Sequence, residues 1–257
     1  MLSLALEAGA RVMAVYAGPI EARRKADQSP VTEADHAAEA VILAGLEAAE
    51  KDTPVISEEA FAAGHAPQVG RRFFLVDPLD GTKEFLSGNG EFTVNIALIV
   101  DGAPILGVVY APAKDLLFSA EGAGRAFERR IEGAPGAAAL ESAPPRPIHV
   151  RRADKTRLVA VASRSHRNPE TEQFLKRYAV ETFIEAGSSL KFCLIASGKA
   201  DLYPRLGPTM EWDTAAGHAV LKAAGGQVRR LDGTPLTYGK VREGFRNPHF
   251  VAEGDLG

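Results

Sequence analysis

The chain contains one cysteine, Cys193, so no disulfide can form within it. Such scarcity suits a reducing compartment. No uninterrupted apolar run approaches the ~20 residues that span a bilayer. The N-terminus lacks the basic cluster of a targeting signal, and Glu7 and Arg11 interrupt its apolar residues. Leu2, Leu6, Met13 and Tyr16 instead predict an amphipathic first helix. An excess of either charge is missing too. Lys and Arg number 30 against 33 Asp and Glu, a formal net charge of -3, so no broad basic field is available to attract nucleic acid. A small anionic substrate would have to be caught by local charges. Internal repeats and low-complexity tracts are absent, apart from the alanine run 137–139. These absences lead us to expect a soluble, cytoplasmic protein, with peripheral attachment to an inner membrane left open.

What is present is ordinary for a globular chain: 257 residues, 46% hydrophobic and 25% charged. That length buries a substantial core as one large domain or two modest ones. Gly18-Pro19 ends the first helix, and Arg23 to Asp27 reads as a polar loop or hairpin. Thr32 and Asp35 resemble a capping box opening a second helix from about Glu33 to Glu50. Pro54–Ser57 is strand-like and ends at Glu58-Glu59. Arg72–Asp77 is apolar on both faces and reads as an internal strand. Phe92–Val100, Ile105–Tyr110 and Leu116–Ser119, separated by Asp101-Gly102 and Pro112, predict an antiparallel meander. Residues 121–150, rich in Gly, Pro and Ala, read as a long surface loop or domain connection.

Thereafter strands (Leu158–Ala162, Glu181–Glu185, Ala200–Tyr203, Gln227–Leu231) alternate with helices (Pro169–Tyr178, Ser188–Ala196, Thr214–Ala224). That alternation predicts α/β layering in the second half, after an α+β first half. We therefore expect a boundary near 145, with domains at 1–145 and 146–257.

The chemistry-bearing residues are acidic. Asp77-Pro78-Leu79-Asp80-Gly81-Thr82 can be read as a turn, since Pro and Gly form turns and Asp accepts backbone hydrogen bonds. The turn follows a buried strand, however, so two carboxylates emerge together. Neighbouring carboxylates repel unless a cation or proton intervenes, and hard divalent cations prefer such oxygens. The Leu79 carbonyl between them is a plausible further ligand. Glu58-Glu59 can be a solvated loop start, Asp213 in Trp212-Asp213-Thr214-Ala215-Ala216-Gly217 can cap a helix, and Asp35 can complement a helix dipole. Each reading is compatible with a metal role. Lys191, on a helix opened by Gly187-Ser188-Ser189, and Arg205, following a strand, are either surface cations or anion binders. Cys193, in an apolar helical stretch, reads as core.

Taken together, Glu58-Glu59, Asp77 to Thr82 and Trp212 to Gly217 resemble the motifs of the inositol monophosphatase superfamily, in its order and at compatible spacing, from residue 1 to about Phe250. Ser29 to Asp35, Lys83-Glu84-Phe85, Ser163-Arg164-Ser165-His166 and the run from Gly187 to Arg205 resemble its bacterial 3′(2′),5′-bisphosphate nucleotidases. The resemblance implies a layered α/β/α/β/α sandwich and two or three Mg²⁺ ions held by Glu58, Asp77, the Leu79 carbonyl, Asp80 and Asp213. It implies that Glu58 and Thr82 orient the attacking water, with Asp35 supporting Thr82 or holding a metal. It places Gly81 and Thr82 on the scissile phosphate, and His166, Ser188, Lys191 and Arg205 on the nucleoside and its second phosphate, with Asp213 also facing substrate. Segment 122–147 matches no family pattern.

The implied activity is hydrolysis of adenosine 3′,5′-bisphosphate to AMP, as in sulfate assimilation, with lithium sensitivity. No phosphoenzyme is needed, since no reactive nucleophile is evident. The rivals are an inositol monophosphatase or broad sugar phosphatase of the same chemistry, and a catalytically silent nucleotide- or Mg²⁺-binding protein. The expected partner is a small phosphate-bearing molecule; a homodimer is left open.

Overall fold

The computed structural model describes residues 1–19, 22–24, 30–133, 137–163 and 168–257. Helix α1 (Leu2–Tyr16) is followed by β1 (Ala22–Arg24) and β2 (Pro30–Thr32), which pair antiparallel, and by helix α2 (Glu33–Ala49). Strand β3 (Val55–Ser57) and short helix α3 (Glu58–Ala62) precede the long β4 (Arg72–Asp80) and helix α4 (Thr82–Leu86). Strands β5 (Thr93–Val100), β6 (Ala103–Ala111), β7 (Leu116–Ala120) and β8 (Ala126–Arg130) lead to α5 (Ala137–Ser142) and β9 (Arg146–Pro147). The remainder comprises β10 (Leu158–Ser163), α6 (Pro169–Leu175), β11 (Val180–Ala186), α7 (Leu190–Ala196), β12 (Leu202–Arg205), α8 (Glu211–Ala223), β13 (Gln227–Arg230) and β14 (Phe250–Glu253).

Two sheets result. The first runs β3-β4-β5-β6-β7-β8-β9, antiparallel except for the β3–β4 pair. The second runs β11-β10-β12-β14-β13, with β10 parallel to both neighbours and β14 antiparallel to both of its own. Helices α1 and α2 pack together on the outer face of the first sheet. Helices α7 and α8 fill the space between the sheets: α8 lies against β4, β5 and β6 and also meets β13, while α7 meets β10 and β12. On the far side α6 packs against β12. The layers are α/β/α/β/α, an arrangement in which every apolar sheet face is covered.

Local chemistry explains the main boundaries. The Thr32 hydroxyl accepts from Ala34 N–H (3.1 Å), and Asp35 Oδ2 accepts from Thr32 N–H (2.7 Å), the reciprocal cap predicted for α2. Asp101 and Gly102 both take positive φ (50° and 74°), as the two-residue hairpin between β5 and β6 requires. Where β6 crosses α8, a Cβ on Gly107 would stand 2.6 Å from the Ala216 carbonyl oxygen, so glycine is what permits the close approach of helix and sheet.

Several expectations are corrected. The segment 121–150 is not a structureless loop: β8 and β9 extend the first sheet, and α5 lies between them. The strand was obscured by its charges. Arg129 is buried because its guanidinium donates to Ser119 Oγ (3.0 Å) and Glu121 Oε1 (3.1 Å). Helix α8 begins at Glu211 rather than Thr214, which places Asp213 inside the first turn instead of at the cap; its carboxylate still accepts from the cap residue, Met210 N–H (2.8 Å). Helix α7 begins at Leu190 rather than Ser188, because Ser188 takes φ +46°. Arg205 closes strand β12 rather than following it, and β14 was not anticipated.

Candidate active site

Strand β4 runs through the core and delivers its last residues to a cavity between the sheets. A bulge makes this possible. Asp77 pairs with Asn95 and Asp80 with Thr93, so four residues of β4 oppose three of β5. Such an insertion bends the strand and redirects its side chains. Asp77 Oδ1 accepts from Leu79 N–H (3.0 Å), which folds the turn back on itself. Gly81 then adopts φ +92°, a conformation that costs glycine little, and α4 begins at Thr82.

Other elements converge on the same cavity. Glu58 opens α3 at the end of β3. Glu39 of α2 fixes this junction: its carboxylate accepts from the Ser57 hydroxyl and from Ala60 N–H (3.0 Å). Asp213 arrives from the first turn of α8. One carboxylate oxygen from each of Glu58, Asp77 and Asp213 lies within 4.8 Å of the others. Asp80, the Leu79 backbone, Gly81, Thr82, Ser188, Lys191 and Arg205 line the same cavity. Asp35 lies beneath Thr82, whose hydroxyl donates toward Asp35 Oδ1 (3.5 Å) or the Leu79 carbonyl (3.4 Å). The other Asp35 oxygen is taken by the α2 cap, at 2.8 Å from Thr32 Oγ1, so Asp35 supports Thr82 and stands outside the Glu58–Asp77–Asp213 group. His166, and Arg164 and Ser165 before it, lie outside the described residues.

Burial of so many acids has an electrostatic consequence. Asp80 is pushed up to about 6, first by loss of water and then by Glu58 and Glu84, with Lys191 opposing. Asp213 is raised well above the usual carboxylate range by burial and by the charges of Asp80 and Glu58. Carboxylates held this way have an unmet demand for positive charge. A clustered, all-oxygen donor set suits a hard divalent cation. Lys191 lines the same cavity, lowered to about 8 by burial with Asp80 opposing, and its Nζ lies 5.4 Å from the Tyr203 ring centroid. Buried Arg205 donates to the Pro208 carbonyl (2.8 Å) through Nη2, while its Nε has no hydrogen-bond partner among the described residues.

The sequence profile of the inositol monophosphatase family matches residues 2–254. The chain belongs to the inositol monophosphatase family. Within that family, the chain is 47% identical over 249 residues to the 3′(2′),5′-bisphosphate nucleotidase CysQ of Escherichia coli K12, spanning 96% of this chain and 95% of that protein. It is 48% identical over 250 residues to the CysQ of Salmonella typhimurium LT2, with the same coverage of both chains. The crystal structure of CysQ from Bacteroides thetaiotaomicron, a bacterial member of the family, superposes with a TM-score of 0.78 at 40% identity, covering 99% of this chain and 96% of that one. The inositol monophosphatase of Thermotoga maritima, at 24% identity and TM-score 0.79, shares the fold.

Family motifs locate the carboxylates but say little about what holds them. Asn95 Nδ2 donates toward Asp80 Oδ2 (3.4 Å) and to Ser189 Oγ (3.0 Å); Ser189 Oγ in turn donates to the Asp213 carbonyl (2.7 Å). This relay ties the β4 turn to α8. Asn95 reads in sequence as an unremarkable strand residue, and only the β4–β5 register shows where it points. Glu84, buried beside Gly81 and Gly187, also lines the cavity. The Lys83-Glu84-Phe85 motif by itself assigns Glu84 no role. Cys193 is buried in α7, as expected, and its thiol is shifted upward by loss of water, which makes it a poor nucleophile. Among the described residues no helix is long and apolar enough to cross a membrane.

Proposed function

We propose that the chain is a Mg²⁺-dependent 3′(2′),5′-bisphosphate nucleotidase that hydrolyses adenosine 3′,5′-bisphosphate to AMP and phosphate in the cytoplasm. The observation that carries this reading is one cavity lined both by acids, Glu58, Asp77, Asp80 and Asp213, and by the buried cations Lys191 and Arg205. A monophosphate would need only the acids and the metal they hold. A substrate with two phosphates would also use Lys191 and Arg205.

Glu58, Asp77, Asp80, Asp213 and the Leu79 carbonyl would hold Mg²⁺. When bound, Mg²⁺ supplies neutralisation of phosphate charge, acidification of water and stabilisation of the leaving oxygen. The chain's own groups do the rest. The Thr82 hydroxyl spends its proton on Asp35 or Leu79, so its lone pairs face the cavity and can accept from water. Glu58 accepts the water's second hydrogen bond, and the two groups together aim its oxygen at phosphorus. The Gly81 and Thr82 backbone N–H groups hold the scissile phosphate. Lys191, the unpartnered Arg205 Nε, Ser188 and, outside the described residues, His166 hold the nucleoside and its second phosphate by charge-assisted hydrogen bonds. The relatives' bisphosphate nucleotidase activity at 47–48% identity supports the same reading.

A phosphate-release panel over adenosine 3′,5′-bisphosphate, inositol 1-phosphate and sugar phosphates, with and without Mg²⁺, tests it. The expected result is Mg²⁺-dependent release with the highest kcat/KM for the bisphosphate. Preference for inositol 1-phosphate would transfer the assignment to the inositol phosphatase reading, and absence of any turnover would leave a binding protein.

A further inference from the structure

Asn247 lies outside every motif discussed above, in the loop between β13 and β14. It is buried, and its amide faces the start of α8. Nδ2 donates to the Met210 carbonyl (2.7 Å) and lies within bonding distance of Thr214 Oγ1 (3.0 Å) and Thr209 Oγ1 (3.3 Å). Its backbone N–H donates to the Thr209 carbonyl (2.9 Å), and Glu211 N–H donates to the Phe245 carbonyl (2.9 Å). The Glu211 carboxylate, fully buried, answers from the other side by accepting from Gly239 N–H (2.7 Å) and Lys240 N–H (2.9 Å). Segment 239–247 thus grips residues 209–211 at six named hydrogen bonds or more, though only one of them reaches the Met210 carbonyl.

Met210 matters because its N–H, which shares a peptide unit with the Thr209 carbonyl, donates to Asp213 Oδ2 (2.8 Å). That bond fixes the orientation of a carboxylate that has an oxygen within 4.8 Å of oxygens of Glu58 and Asp77. We infer that Asn247 is a positioning residue for the metal site: its Nδ2 holds the Met210 carbonyl and its backbone N–H the Thr209 carbonyl, so the peptide units on both sides of Met210 are fixed, and with them the N–H that orients Asp213. The Met210 N–H bonds the ligand and Asn247 stands behind it; groups outside the metal's own ligands that fix ligand geometry typically carry 10- to 100-fold in metal affinity. The amide orientation is unambiguous, because a carbonyl acceptor at Met210 requires Nδ2 rather than Oδ1. Among the described residues Asn247 Oδ1 has no hydrogen-bond partner, so its donor end is what holds the side chain there.

This inference rests on the metal-site reading above, and Mn²⁺ binding followed by EPR separates the two. Absence of Mn²⁺ binding by the wild-type protein overturns the metal site and this inference with it. Given wild-type binding, Asn247→Asp, which keeps the shape and removes the donor, weakens Mn²⁺ binding by about 10- to 100-fold. Asn247→Ser, a smaller perturbation unable to reach Met210, does the same should the aspartate variant not fold. Leu175→Ala, in the small cluster with Ala160 and Leu202 on the far side of the second sheet, serves as a variant of lowered stability. Wild-type Mn²⁺ affinity in the Asn247 variants, or an equal loss in Leu175→Ala, overturns the inference. A positioning role also requires that raising Mn²⁺ restores turnover in the Asn247 variants; a fall in kcat that persists at saturating Mn²⁺ overturns it.

Discussion

Replacing Lys191 by methionine keeps the bulk of the side chain and removes its charge. The ammonium donates to the Ser188 carbonyl (2.6 Å) and toward the Ala186 carbonyl (3.5 Å), which leaves its third proton for the cavity. A hydrogen bond to a charged group contributes about 1.5–3 kcal/mol, and about 1.4 kcal/mol is a factor of ten. The Lys191→Met variant should therefore lose roughly 10- to 150-fold in kcat/KM for adenosine 3′,5′-bisphosphate, with little change for a simple monophosphate assayed at saturating Mg²⁺. The pH dependence provides a second reading. Burial lowers Lys191 to about 8. The group is cationic below that value and neutral above it, so the wild-type preference for bisphosphate over monophosphate should be full at pH 7 and decline as pH rises through about 8. Because kcat/KM reports the free enzyme, this is the parameter to follow, as a ratio of the two substrates from pH 6.5 to 9.5. In Lys191→Met the ratio should be low and flat. An equal loss on both substrates, or a wild-type ratio independent of pH, would refute the specificity argument.

Asp80→Asn should abolish turnover of every substrate; activity retained at saturating Mg²⁺ would contradict the metal assignment. Li⁺ titrated against Mg²⁺-supported phosphate release should inhibit, as membership of this family implies, and insensitivity would count against the site chemistry. Asp201, buried, accepts two hydrogen bonds from Arg151 (both 2.7 Å) and one from Val159 N–H (2.7 Å). Burial alone would raise its pKa, but these donors outweigh that and hold it below 3.8. The stability it contributes is therefore complete above the ordinary aspartate range and is lost as pH falls through its lowered value. Thermal melts from pH 6 down to 3 should show Asp201→Asn about 1–3 kcal/mol less stable at the upper end, with the gap closing toward the lower. A constant gap would mean that the carboxylate charge is not what stabilises.

Much of this was legible because the signals were local. The capping box at Thr32 and Asp35, the Asp101-Gly102 hairpin and the apolar β4 each depend on a few adjacent residues, and each lies where expected. The convergence of Glu58, Asp77 and Asp213 was legible for a different reason: acids placed at the ends of buried elements are costly without a cation, so their positions stand out. The β8 strand was not, since Glu128, Arg129 and Arg130 erase its apolar alternation, and the hydrogen bonds that accommodate Arg129 come from Ser119 and Glu121, on the neighbouring strand and the turn beyond it. Asn95, Ser189 and Asn247 were silent for the same reason. Their function is a set of distances to residues 15 to 94 positions away, and no spacing rule encodes those.

Helix α8 is wedged between both sheets and carries Asp213, whereas Asp77 and Asp80 belong to β4 of the first sheet. If the proposed cation is held by all three, it would act as a rivet through the molecule's midline. Prising the layers apart would require releasing it, and the resistance of the whole fold to heat or protease would rise with free Mg²⁺, by about 2.7 kcal/mol at a hundredfold excess over the dissociation constant. Magnesium scarcity would then loosen the scaffold as well as slow the chemistry.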